Sequence, residues 1–470
     1  MKFLFFMLSC LVFANFQIRG QGIEDQSKDS LIVIRNIVLV GNKKTKSWVI
    51  ERELTFARGD TILSKKLSES LERSKNNLRN TSLFTTNDFR FTINQHGMVD
   101  VFIVVSERWY VWPQLIFQLA ETNFNSWWEN KDFSRINYGV RVNHKNFRGR
   151  NEEFNVLLQF GFTELISFSY SVPFFNRRKT LGLGVSASFG RNHEVNYNSD
   201  MNKRLFYKDA TRVQQWFSKA SAELRFRPKI FSRHTLGCVF NEVSISDTIK
   251  SLNANYLPAA SNRQRFASIS YNYTLDKRDN KVYALEGWFL KLAIYQYGLG
   301  IFRSEIDQTW SEIETKKYLK LAPKFYLSGL LRGQGFFNKT QPYYLRQGLG
   351  YSDKTNVRSY ELYVIDAQQF AIGKLQLRYN LKSSTPTELE FVPLKKFRKF
   401  YYNVYLGVFS DAAYALDEFG FPRNNFANEL QYGSGISLDI TSVYDMVFRA
   451  EYSINKFGEH GLFLHFVAPI

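Results

Sequence analysis

Beyond Arg108, apolar side chains recur at every second position. Ile166, Phe168, Tyr170 and Val172 alternate with Ser167, Ser169 and Ser171, and Leu181, Leu183, Val185, Ala187 and Phe189 alternate with glycine and serine. A pleated strand turns successive side chains to opposite faces, so each run has one oily face and one small or polar face. Farther on, Ala220, Ala222, Leu224 and Phe226 oppose Ser221, Glu223 and Arg225, while Leu375, Leu377, Tyr379 and Leu381 oppose Gln376, Arg378 and Asn380. Charge therefore collects on the face away from the oil. That is the pattern of a wall with lipid on one side and a polar lumen on the other. A soluble sandwich, the alternative, would have to bury every oily face against a second sheet.

An aromatic content of 17% with only 10 prolines and 27 glycines in 470 residues fits a strand-rich chain. After the N-terminus no stretch reaches the roughly 18 consecutive apolar residues that a membrane helix requires. A mean hydropathy of −0.30 is compatible with insertion as a barrel, because only alternate residues meet lipid. Lys2, the apolar run Phe3 to Phe16 and the small or polar Gly20, Gln21 and Gly22 read as an export signal over residues 1–20. Cys10 lies within that run, and Leu11, Val12 and Phe13 continue it, which favours a signal peptide over a lipid anchor. Removal of the signal leaves Cys238 alone and forbids an intramolecular disulfide. The formal charge of +19 comes from scattered basic residues, so membrane anions are expected partners and nucleic acid is not. The densest basic run, Lys395, Lys396, Arg398 and Lys399, reads as a solvated turn.

Residues 31–107 follow different rules. Ile32, Ile34, Ile37 and Leu39 predict a strand that turns at Gly41, and Thr45 to Phe56 carries Trp48, Val49, Arg52 and Glu53 in a helical arrangement. Leu63, Leu67, Leu71 and Leu78 predict a second helix through Lys65 to Asn80; strands over Asp88 to Asn94 and Val99 to Val105 flank the turn Gln95-His96-Gly97. The blocks Gly41-Asn42-Lys43-Lys44-Thr45, Ile50-Glu51-Arg52-Glu53-Leu54, Arg58-Gly59-Asp60, Ser82-Leu83-Phe84 and Val104-Val105-Ser106-Glu107-Arg108 resemble, in order, the polypeptide-transport-associated (POTRA) domain of outer-membrane assembly proteins. The resemblance implies a periplasmic domain that offers a sheet edge to unfolded chains.

Sixteen candidate strands follow over 108–470, the first near Trp109 and the last near Gly461. With the small domain in the periplasm, Asn338 to Gln368 becomes the sixth external loop; Phe162 to Glu164 is short for an external connection, and Lys382 to Lys399 is long for an internal one. Three motifs resemble the barrel of the BamA and TamA assembly factors and the two-partner-secretion transporters. The turn Thr274-Leu275-Asp276-Lys277-Arg278-Asp279-Asn280 with Leu285-Glu286-Gly287 lacks the usual proline before its last glycine. Val357-Arg358-Ser359-Tyr360 resembles the sixth-loop signature with serine where glycine is usual, and Val408-Phe409-Ser410-Asp411 resembles the strand that receives the loop arginine. The resemblance implies that Arg358 folds into the lumen and pairs with Asp411, whose phase is opposite to that of the oily Leu406 and Val408. The family's second carboxylate is expected to be replaced by Gln376, leaving one formal pair and a weaker lock. Gly461, Leu464 and Phe466 resemble a C-terminal assembly signal, but the chain ends Val467-Ala468-Pro469-Ile470. Pro469 either frays the seam with the first strand or only varies the signal.

The fold class expected is therefore mainly β: a 16-stranded antiparallel transmembrane barrel preceded by one small α+β POTRA domain, in a bacterial outer membrane. The resemblance implies an assembly factor that captures exported unfolded chains and templates client strands at a barrel seam. The alternatives are a translocation channel for a dedicated substrate and a passive structural barrel. Unfolded outer-membrane or secreted proteins, outer-membrane lipids, and accessory lipoproteins or periplasmic chaperones are the expected partners. No cofactor, metal site or enzymatic constellation is expected: the six histidines are dispersed, and Gly182-x-Gly184 lies in an alternating strand.

Overall fold

A computed structural model describes residues 30–119, 133–258, 261–302, 306–337, 341–346, 348–388, 399–418, 423–442 and 446–466. The export signal, the Lys395 to Arg398 portion of the basic run and the tail Val467 to Ile470 lie outside these residues.

The small domain runs β1 (Leu31–Val40), α1 (Ser47–Glu51), β2 (Thr61–Leu63), α2 (Ser64–Arg79), β3 (Phe84–Ile93) and β4 (Met98–Glu107). Its sheet is ordered β2-β1-β4-β3, with β1 and β4 parallel. Leu67, Leu71 and Leu78 line one face of α2 and bury against Ile32, Ile34, Val99, Val101 and Ile103, the inward positions of the strands. Two expectations change here. The first helix stops at Glu51, so Arg52 and Glu53 lie beyond it and reach outward; and β2, only three residues long, is too short to show a period in the sequence.

The wall comprises β5 (Val111–Leu119), β6 (Ile136–Phe147), β7 (Glu152–Gly161), β8 (Thr163–Val172), β9 (Leu181–Asn192), β12 (Gln215–Lys229), β13 (Ser232–Ile245), β14 (Arg263–Asp276), β15 (Gly287–Tyr297), β16 (Gln308–Ala322), β17 (Phe325–Phe336), β18 (Gln369–Glu388), β19 (Lys399–Leu416), β20 (Leu430–Ser442), β21 (Val447–Asn455) and β22 (His460–Phe466). These form one sixteen-stranded sheet with β22 and β5 at its ends, and every neighbouring pair is antiparallel. The alternation sorts by environment. Leu375 and Val408 are 59% and 52% exposed on the outer face, whereas Arg378, Asp411, Asp439 and Glu451 are 3%, 1%, 0% and 1% exposed on the inner one. An outer face of this kind belongs in hydrocarbon.

Connections at the end away from the small domain carry extra structure that the alternation did not reveal. A hairpin of β10 (Glu194–Asp200) and β11 (Lys203–Lys208) and the helix α3 (Asp247–Leu252) pack Val195, Ile249, Tyr256 and Leu257 against Tyr343 of the sixth loop. The connection from β7 to β8 is the single residue Phe162. Much of the long connection expected between Lys382 and Lys399 is strand: β18 continues to Glu388, which pairs with Lys399, through register shifts at Lys382.

The small domain docks on the wall through four hairpin turns. Lys46 N donates to Gly149 O (2.9 Å), Arg52 Nη2 to Arg227 O (2.9 Å), and Arg227 Nη2 to Glu53 Oε2 (2.7 Å). Asn80 accepts from Lys281 N (3.0 Å) and donates to Asp279 O (3.3 Å), while Trp48 meets Phe174 edge-on at 6.5 Å. At the junction, Thr45 Oγ1 joins Glu107 (2.7 Å), the Tyr110 hydroxyl (2.8 Å) and Asn146 (2.9 Å). Burial pushes the Tyr110 phenol up to about 12.

Candidate functional site

The sixth loop re-enters the lumen because its own apolar side chains have somewhere to go. Val357 and Tyr360 pack with Leu349, Ile365, Phe370 and Phe426, and the Tyr360 hydroxyl donates to Tyr432 O at 3.1 Å. This packing carries Arg358 to the wall. Its Nε lies 2.9 Å from Asp411 Oδ2, its backbone N–H donates to the same oxygen at 3.1 Å, and its Nη2 also contacts Asp411. The guanidinium lies over the Phe409 ring, 3.8 Å from its centroid. Both charges are buried, so their stability depends on this fixed geometry.

The expectation of a single formal pair is corrected. Arg358 Nη1 also stands 3.6 Å from Glu451 Oε1 on β21, so the second carboxylate is present but comes from a different strand. Gln376 occupies the anticipated place in another role: its Oε1 accepts from Arg358 (3.4 Å) and Arg378 (3.3 Å), and its Nε2 donates to Ser437 (2.9 Å). Lys374 lies 3.7 Å from Asp411.

Ser359 has φ +76°, a left-handed conformation that costs a non-glycine residue about 1–2 kcal/mol. A Cβ built on Gly433 of β20 would come within 2.5 Å of the Ser359 hydroxyl and 2.8 Å of its Cβ, so the bare backbone at Gly433 is what admits the serine.

Charge continues past the motif. Arg449 spans Asp439 with two bonds, 2.7 and 2.8 Å, and approaches Glu451 at 3.5 Å; His465 on β22 meets Glu361 at 2.9 Å and Glu451 at 3.3 Å. The sixth loop is thus tied to the last strand of the sheet. Sequence reasoning missed Asp439, Arg449, Glu451 and His465, although all lie on the lumen face. Glu361, Glu451 and His465 bring ligand-type atoms within 4.8 Å of one another. Arg358 and Arg449 already supply positive charge to Glu451, and we read the group as part of the ion-pair network.

The turn motif joins the same network from the domain end. Arg278 clasps Asp276 with bonds of 2.9 and 2.8 Å, and Asp279 accepts from Asn280 N (2.8 Å) and Leu285 N (3.1 Å). Burial nonetheless raises the Asp279 carboxyl above its ordinary range. These bonds fold the turn inward, so that the Tyr283 hydroxyl donates to Asp439 at 2.7 Å and Arg378 donates to Ala284 O at 3.2 Å. Gly287 closes the turn at φ +104°, where a Cβ would lie 2.2 Å from Lys277 O. Gly287→Ala is therefore expected to block assembly of the heat-modifiable folded form. A gel-mobility comparison with wild type checks this, and normal mobility would show that the turn tolerates a side chain. Gly461 pairs with Ser453, Leu464 with Ala450 and Phe466 with Phe448 on β22, whose lumen-side residue Phe463 is buried. The reading of Pro469 falls outside the described residues.

A small α+β domain docked on a sixteen-stranded antiparallel wall with an apolar outer face, and a loop arginine drawn to its polar face, defines a transmembrane β-barrel with an appended domain. Comparison with family models places a POTRA match, described as a surface antigen variable number repeat, at residues 32–108, and an Omp85 superfamily domain at residues 146–454. The second match spans more than half of the chain, which belongs to the Omp85 superfamily, a family of outer-membrane barrels that handle unfolded protein substrates. Among solved structures, BamA from Haemophilus ducreyi lacking POTRA domains 1–3 is similar at 16% identity and TM-score 0.53, covering 93% of this chain and 84% of that one. CdiB from Acinetobacter baumannii matches at 12% identity and TM-score 0.51, covering 93% of this chain and 73% of that one. CdiB from Escherichia coli matches at 9% identity and TM-score 0.50, covering 96% and 92% respectively. At these identities the likeness concerns the fold. No curated protein matches the chain significantly.

Proposed function

We propose that this protein is a non-enzymatic outer-membrane assembly factor: its POTRA domain, in the periplasm, captures exported unfolded chains, and the β5 and β22 edges template client strands. A peptide group left unsatisfied in hydrocarbon costs several kcal/mol, so a client strand enters lipid only while paired, and an openable edge supplies the partner. The observation that carries this reading is Pro113. β5 pairs with β6 in unbroken register from Val111 to Leu119, with Pro113 opposite Val142. A proline facing β6 would interrupt that ladder, so its nitrogen belongs on the other side, where β5 lacks one donor at the edge offered to β22. The seam is weakened on its first strand.

The test is folding of an unfolded outer-membrane barrel into liposomes with and without this protein, scored by heat-modifiable mobility. Wild type accelerates client folding, and Pro113→Thr, which restores the donor, slows it several-fold. If wild type gives no acceleration, the insertase reading fails and a dedicated translocation channel replaces it. If Pro113→Thr matches wild type, the proline has no part in opening.

A further inference from the structure

Where the POTRA domain meets the lumen lies a half-open cavity of about 330 Å³. Its lining is asymmetric in charge: Arg225, Arg227, Arg233, Arg278 and Lys281 face it, against Glu53, Glu153 and Asp276. Three of the cations are already engaged. Arg225 is held by Glu223 at 2.9 and 3.0 Å, Arg227 by Glu53 at 2.7 Å, and Arg278 by Asp276 at 2.8 and 2.9 Å. Glu153, for its part, accepts from Asn143 at 3.0 Å.

Arg233 and Lys281 remain. Neither side chain has a hydrogen bond or ion pair among the described residues, and both are exposed to the cavity. Opposite Arg233 in the ladder stands Thr274, which brings no charge. Lys281, in the turn after β14, has its ammonium disfavoured chiefly by burial, with attraction from Asp276 and Glu53 set against repulsion from Arg227 and Arg233. Two cations that line one polar cavity, with no direct ion pair of their own and only the more distant Asp276 and Glu53 to offset them, form an acceptor for anions.

We infer that this cavity binds a carboxylate-bearing segment of an unfolded polypeptide, with Arg233 and Lys281 as its two charge contacts. The position selects the ligand. The cavity lies on the lumen side of the wall, whereas Leu224 and Phe226 at the same level of β12 face outward, so bilayer headgroups meet the other surface. The volume admits a few residues of extended chain rather than a folded module. The inference rests on the assembly reading and names the chemistry of the segment first captured.

The test uses the full chain in detergent micelles and fluorescence anisotropy of a labelled Ser-Asp-Ser-Asp-Ser-Asp peptide, beside its Asn counterpart. The acidic peptide binds in a salt-dependent manner and the Asn peptide at least about tenfold more weakly; Arg233→Gln with Lys281→Gln removes that preference, while Arg233→Lys with Lys281→Arg keeps it. Equal binding of the two peptides, or an unchanged preference in the Gln variant, overturns the proposal. Displacement by inorganic phosphate at concentrations below those of the peptide would assign the site to a free anion instead. Because the readout involves no client folding, failure of the insertase reading leaves a measurable peptide preference intact, and loss of that preference leaves client folding to be judged separately.

Discussion

Arg358→Ala leaves a protein that still shows the heat-modifiable mobility of a folded barrel but no longer accelerates client folding. Deleting one partner of a buried ion pair costs about 3–5 kcal/mol, since the remaining charge is uncompensated. Here the deletion strands Asp411, which Lys374 approaches only at 3.7 Å, and removes a cation 3.6 Å from Glu451. Most of the loop's apolar packing around Val357 and Tyr360 is lost only if the loop leaves the lumen. Protease accessibility of residues 341–368 on intact proteoliposomes reports that departure directly. Retained protection together with retained client folding would show that the arginine contributes nothing to either.

Arg449→Met has a comparable effect from a residue outside every recognised motif. The side chain is 1% exposed, spans Asp439 and supports Glu451, so its loss leaves two buried carboxylates short of a cation, at about 3–5 kcal/mol. Because Arg358 and Arg449 share Glu451, their effects are non-additive by about 0.5–3 kcal/mol. A double-mutant cycle in urea, with gel mobility reporting unfolding, measures that coupling. Strict additivity would mean that the two arginines act on separate parts of the lumen.

The wall was readable because lipid enforces a strict two-residue period, and the motif residues were readable because Arg358 and Asp411 stand in recognisable company. What escaped the sequence is of two kinds. Glu451 and Asp439 are lumen carboxylates like many others, and only the folded wall shows which face a given arginine; Gln376 takes the place of an acid in the sequence because linear position cannot show that β21 supplies one. The β10–β11 hairpin and α3 form outside the membrane, where no environment imposes alternation. Residues 382–388 read as the start of a long loop because Pro386 and the register shifts at Lys382 disguise a strand that continues to Glu388.

Ser359 and Gly433 also change how the loop's departure from its family signature is understood. Where the motif it resembles has glycine after the arginine, this chain has serine, and it is the wall that lacks the side chain: Gly433 of β20 yields the space that Ser359 fills. The two positions form one steric unit with a single vacancy to share. Glycine at 359 would remove the two tightest contacts of a side chain at 433 and leave only Ile454 O at 3.0 Å to give way, whereas a side chain at 433 beside Ser359 costs the loop its seat.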